Sequence, residues 1–176
     1  SLVGSEMCIR DRINPVKTDD RPPLDRWILS RLATVANQYH EGFTNWNYHK
    51  ACRELEDFVV NDLSNWYVRR SRRRLWDEAE NTDKLACQNT LHEVLTTLCR
   101  LVAPVSPFMV DIIHRNLAGS SVHQADWPLG TPGSLEGATA DSWDQKAAKA
   151  TATLPPQDLG LEQQMALVRE LAETGR

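Results

Sequence analysis

From Tyr48 to Trp76 the chain runs without a single glycine or proline. Nothing else in the sequence restricts the fold as much. Tyr48, Ala51, Cys52, Leu55, Phe58, Val59 and Leu63 recur every three or four residues, and Trp66 continues the stripe. That spacing predicts one long amphipathic helix covering the whole interval.

The flanking segments carry the same period. Leu24, Ile28, Leu32, Val35 and Tyr39, with Trp27 beside them, predict a helix that starts near Pro22-Pro23 and ends near Gly42. The turn Thr44-Asn45-Trp46-Asn47 follows, with Asn47 placed to cap the next helix. Leu85, Leu91, Val94, Leu95, Leu98 and Val102 form a third stripe, ended by Pro104. Ser106-Pro107 reads as an N-cap with a first-turn proline, opening a short fourth helix on Phe108, Ile112, Ile113 and Leu117. No stretch alternates as a strand would, so the expected class is all-α, a helical bundle over residues 22–128.

The ends read differently. Residues 1–21 are expected to be a disordered tail, and the first dozen resemble a translated library adaptor. Residues 129–158, rich in Gly, Ala, Thr, Ser and Pro, read as a linker. Residues 159–176 carry Leu161, Met165, Val168 and Leu171 on one face and read as the first helix of a truncated C-terminal domain.

Composition narrows the class. Hydrophobic residues at 41% and charged residues at 25% suit a globular chain. No apolar run approaches the roughly 18 residues of a membrane span, and no signal peptide opens the chain, so a cytoplasmic protein is expected. Cys8, Cys52, Cys87 and Cys99 are never paired as C-x-x-C, which argues against a structural zinc site. The histidines His40, His49, His92, His114 and His123 are scattered, no Gly-rich phosphate loop is present, and no nucleophile stands beside a base. No catalytic residue, metal site or cofactor is therefore assigned to the chain.

Net charge is −4, yet Arg69, Arg70, Arg72, Arg73 and Arg74 crowd into six positions. A polyanion feels the local field within about 8–10 Å rather than the average. On an α-helix Arg69, Arg72 and Trp76 share one flank, with Arg73 at its edge. Arg70, Arg74 and Tyr67 share the other. Five guanidinium groups have no ready partners in a core, so this end is expected to project. The residues alone leave two readings open. Arginines beside indoles suit phosphates and unpaired bases of folded RNA. Alternatively, Glu54, Asp57, Asp77 and Glu78 make the run a solvated, ion-paired face. Trp66 reads better as core than as ligand.

The segments LDRWILSRL (24–32), NYHKA (47–51) and above all LSNWYVRRSRRRLW (63–76) resemble the anticodon-binding helical domain of isoleucyl-tRNA synthetases. APVSPFMVDIIHRNL (103–117) and SVHQADWP (121–128) are similar to its closing helix and exit segment. LEQQMALVRELAETGR (161–176) is similar to the first helix of the region that follows. The resemblance implies a monomer that binds isoleucine tRNA and works with a catalytic domain absent from this chain, ATP and magnesium belonging to that domain. It carries the binding role to Arg69, Arg70, Arg72, Arg73 and Trp76, then to Arg74, Trp66 and Tyr67. Arg31 and Asn37 are added because the first helix faces tRNA in related domains. Two rivals remain: a module whose arginine helix docks an acidic protein, and a helical enzyme with a perturbed titrating pair.

Overall fold

The computed structural model describes residues 20–76, 81–128 and 157–174. Most of the expected tail (1–21) and linker (129–158) lies outside them; at their described ends Arg21 donates to Thr90 Oγ1 at 3.2 Å and the Asp158 N–H donates to Ser30 Oγ at 2.8 Å. The described elements are α1 (Pro23–Thr44), α2 (Tyr48–Asp57), a π-helical segment (Phe58–Val68), α3 (Arg69–Trp76), α4 (Thr82–Val102), α5 (Pro107–Ala118), a 3-10 turn (Val122–Gln124) and α6 (Leu159–Thr174). No strand occurs among them, so the all-α expectation holds there. None of these helices is long and apolar enough to cross a membrane.

Two compact units divide the chain. Among the described residues, one comprises 20–90 with 157–174, and the other 91–128. α4 begins in the first and ends in the second.

In the first unit α1 is the central element and packs against α2, the π segment and α6. Pro23 occupies its first turn, where a missing N–H costs nothing. Trp27, Ile28, Leu29, Leu32, Val35, Ala36 and Tyr39 form its buried face. Gly42 does not end this helix, which runs on to Thr44. A Cβ at Gly42 would stand 2.6 Å from the Ala51 Cβ, so glycine is there to let α1 and α2 approach. The chain then turns through Trp46, a non-glycine residue at φ 59° whose side chain is 80% exposed. Asn47 holds the N-cap position of α2, but its side chain makes no capping bond.

The long helix of the sequence reading is continuous in path and not in winding. From Phe58 to Val68 it takes the wider π form, in which the backbone N–H reaches five residues back. Buried positions shift accordingly, to Leu55, Phe58, Asp62, Leu63, Tyr67 and Ser71. Val59, expected in the stripe, is exposed, and Tyr67 takes the inward place that α periodicity assigns to Trp66.

In the second unit the C-terminal half of α4 supplies Val94, Leu98, Cys99 and Leu101 as buried residues. Cys99, Val110 and Val122 make a small cluster, with Val102, Ala103 and Leu117 against it. The stripe expected to bury α5 faces outward instead. Phe108 is 85% exposed and Ile112 and Ile113 are exposed, while Val110 and His114 point inward. Ser106 precedes α5 without a side-chain cap. Gly119 closes α5 at φ 75°, a left-handed cap that glycine adopts without strain. The exit segment is tied back by Asp111, which accepts from Ser121 Oγ at 2.6 Å and from the Val122 N–H at 3.0 Å.

Cys52 is half-buried and Cys87 and Cys99 are buried; all three are free thiols.

Candidate nucleic-acid interface

The π segment decides which arginines of α3 face out. Because it winds wider than an α-helix, residues beyond it no longer sit where a 100° wheel puts them. Tyr67 and Arg74 come round to the core side, and four arginines remain outside.

Tyr67 is fully buried, and its hydroxyl donates to Asp25 Oδ1 at 2.9 Å. Burial, with the negative Asp25 beside it, pushes the phenol well above its ordinary range. Arg74 meets the same carboxylate with two parallel bonds, both 2.8 Å. It also donates to the Asp83 carboxylate at 2.8 Å and the Asp83 carbonyl at 3.0 Å. Hydrogen bonding to Asp25 raises the Arg74 pKa further, so its charge is permanent. The structure thus places both of these expected RNA contacts against Asp25. Tyr67 and Arg74 satisfy Asp25, a carboxylate with 0% exposure, and burying such a charge unpaired would cost several kcal/mol.

Arg69, Arg70, Arg72 and Arg73 are exposed and carry no ion pair among the described residues. Asp77 and Glu78, possible partners in the sequence reading, lie outside those residues. Two of the four arginines rest on indoles. The Arg70 Cζ lies 3.6 Å above the Trp66 ring, and the Arg72 Cζ lies 5.4 Å from the Trp76 ring. Trp76 is 76% exposed and offers a flat apolar face at the helix end. Trp66 is half-buried, neither core nor free surface.

Arg31 is engaged inward. It donates to Asp62 at 3.1 Å and to Glu162 of α6 at 3.4 Å. Asn37 is exposed on α1, and no hydrogen bond among the described residues joins it to the arginine face.

The sequence reading missed the polar seam that fastens α6. Asp62, 2% exposed, accepts from both Arg31 and Arg169. Glu162 accepts from Ser30 Oγ at 2.5 Å and Thr34 Oγ1 at 2.9 Å. No residue of α6 is fully buried, and these bonds join the half-buried Leu161 and Met165 in holding the described helix. The other buried carboxylate was legible in part. Asp25 stands three, four and seven residues before Ile28, Leu29 and Leu32, on the buried stripe, and a carboxylate there demands a cation partner.

Among the described residues no three His, Cys, Asp or Glu side chains group as metal ligands. His114 is buried, with Nδ1 2.8 Å from the Ser120 carbonyl, as a structural histidine would be.

Comparison with known proteins agrees with this geometry. The model of the anticodon-binding domain of tRNA ligase matches residues 25–176. Isoleucine–tRNA ligase 2 of Bacillus cereus is 45% identical over 121 residues, covering 68% of this chain and 12% of that protein. Isoleucine–tRNA ligase of Thermus thermophilus is 40% identical over 129 residues, 69% of this chain and 12% of its own length. That of Methanothrix thermoacetophila is 37% identical over 176 residues, 94% of this chain and 15% of the protein. The chain therefore spans about an eighth of the curated relatives it matches. With an all-helical scaffold that turns four arginines outward and a family model matched along most of its length, the chain belongs to the anticodon-binding domain family of tRNA ligases.

Proposed function

We propose that this chain binds isoleucine tRNA through Arg69, Arg70, Arg72, Arg73 and Trp76, and so holds it for an ATP-dependent isoleucine–tRNA ligase. The observation that carries the reading is the set of four exposed arginines with no carboxylate partner among the described residues, two of them beside indoles. Guanidinium groups bind phosphate oxygens bidentately, and a free indole face stacks on an unpaired base. Trp66 acts by supporting Arg70, while Arg31 and Asn37 have no such support for a role in RNA contact. Residues 22–128 together with α6 make the binding domain. It needs no cofactor of its own, since ATP and magnesium belong to the catalytic parts of the enzyme. The RNA face lies on one copy of the chain, which suits a monomer, and the free thiols suit the cytoplasm. Phe108, Met109 and Ile112 of α5 face outward, and a catalytic domain of the same enzyme is the partner proposed for them.

Fluorescence anisotropy with an isoleucine tRNA transcript and an anticodon-swapped copy, at low and moderate salt, tests the reading. Charge reversal of Arg69 and Arg72 together should remove most of the affinity. Binding should weaken with salt as each neutralised phosphate releases counterions. Preference for the native anticodon would give the domain a share of sequence recognition. Equal salt-sensitive binding would leave it a phosphate-holding surface. Undiminished binding by the folded double variant would refute the assignment of this face.

A further inference from the structure

We propose that Arg70 and Arg169, which share the Trp66 indole, form a single phosphate-binding fork, so that α6 supplies part of the RNA face. The inference rests on the reading that the arginine face takes RNA, and it adds a residue that no motif in the arginine run contains.

The two guanidinium groups come from distant parts of the chain. Arg70 lies on α3 with its Cζ 3.6 Å from the ring, and Arg169 lies on α6 with its Cζ 5.4 Å from the same ring. Both guanidinium groups therefore stand beside one ring, the proximity from which a common phosphate is inferred. Charge around them is unbalanced in the direction a phosphate needs. Asp62 and Glu162 supply two negative charges, and Arg31 and Arg169 match them. Arg70 adds a third positive charge with no carboxylate partner among the described residues.

Donors are left over as well. A guanidinium carries five N–H groups. Among the described residues Arg169 makes one hydrogen bond, to Asp62, and Arg70 makes none. Stacking on the indole and the bond to buried Asp62 already restrict both side chains. Less rotamer freedom is then lost when a phosphate binds, which is the usual advantage of preorganisation. Arg69 and Arg73 are exposed without an indole beneath them, and Arg72 rests on the exposed Trp76 at 5.4 Å. Trp66 Nε1 has no hydrogen-bond partner among the described residues, so its stacking contacts orient the ring.

The test uses the 176-residue chain and an isoleucine tRNA transcript, with anisotropy titrations over a salt series. Arg70→Gln and Arg169→Gln should each weaken binding by about tenfold, the loss of one charge-assisted contact. Because they hold the same phosphate, the losses should not multiply, and the double variant should fall well short of a roughly hundredfold loss. The slope of log affinity against log salt should fall by about 0.7–0.9 in the double variant, one phosphate in all, and by no more than that in either single variant. Losses that multiply, with a slope change of two contacts, would overturn the shared fork. So would wild-type binding by Arg169→Gln.

Arg169→Gln leaves Asp62 with one cation fewer, and circular dichroism shows whether the variant folds. If it does not, Trp66→Leu replaces it, keeping every charge and removing the common platform. That variant should bind several-fold more weakly at an unchanged salt slope, and unchanged affinity would refute the fork. Arg69→Gln/Arg73→Gln separates the two levels of the argument. If it weakens binding while Arg70 and Arg169 variants do not, the fork fails and the RNA reading stands. If none of these variants matters, the RNA reading fails with it.

Discussion

Arg74 lies within the arginine run, yet its removal should damage the fold rather than RNA binding. Arg74→Ala would delete the two 2.8 Å bonds to Asp25, leaving a carboxylate with 0% exposure and only the Tyr67 hydroxyl beside it. Breaking a buried ion pair from one side costs about 3–5 kcal/mol, because the remaining charge is uncompensated. The Arg74 side chain is itself 17% exposed, so water can enter the space it leaves, and the lower end, about 3 kcal/mol, is expected. Loss of the Asp83 branch adds little, since that carboxylate is 49% exposed and such pairs are worth about 0–1 kcal/mol. Urea unfolding followed by far-ultraviolet circular dichroism measures the effect. Arg69→Ala and Arg73→Ala serve as comparators and should shift stability by no more than about 0.5 kcal/mol. The decisive variant is Arg74→Ala combined with Asp25→Asn. If the stranded charge is what costs, the double variant should be more stable than Arg74→Ala alone. A single-variant loss below about 1 kcal/mol, or a double loss equal to the sum of both singles, would refute the reasoning.

Two further expectations follow from the packing and the charges. Gly42→Ala places a Cβ 2.6 Å from that of Ala51, forcing α1 and α2 apart at a cost of about 1–3 kcal/mol. Adding Ala51→Gly should recover much of the loss in the same urea assay, and no recovery would mean the strain lies elsewhere. Ser121 and Arg115, with the Val122 N–H, hold the Asp111 carboxyl down at about 2. A depressed acid stabilises the fold above its ordinary pKa near 3.9 and loses that contribution as pH falls through the depressed value. Thermal melts of the wild type should therefore drop in acid, between about pH 4 and pH 2, more steeply than those of Asp111→Asn; parallel curves would refute the link.

Helix class and most helix limits were legible from residue spacing alone. An apolar residue every three or four positions buries a face only if the backbone is helical, and prolines at 23, 104 and 107 mark where regular hydrogen bonding starts or stops. The exposure of Arg69, Arg70, Arg72 and Arg73 was legible too, since no core accepts so many guanidinium groups unpaired. Winding was not. Whether a glycine-free run takes i→i+4 or i→i+5 bonds depends on how its side chains fit neighbouring helices. That choice turned Tyr67 inward and set Trp66 beneath Arg70. The outward face of α5 and the docking of α6 also escaped the pattern, because periodicity finds a stripe without saying what covers it. Pairings such as Asp25–Arg74 and Asp62–Arg169 join residues 49 and 107 positions apart. A sequence can show that a buried carboxylate needs a cation, but only tertiary structure selects which cation reaches it.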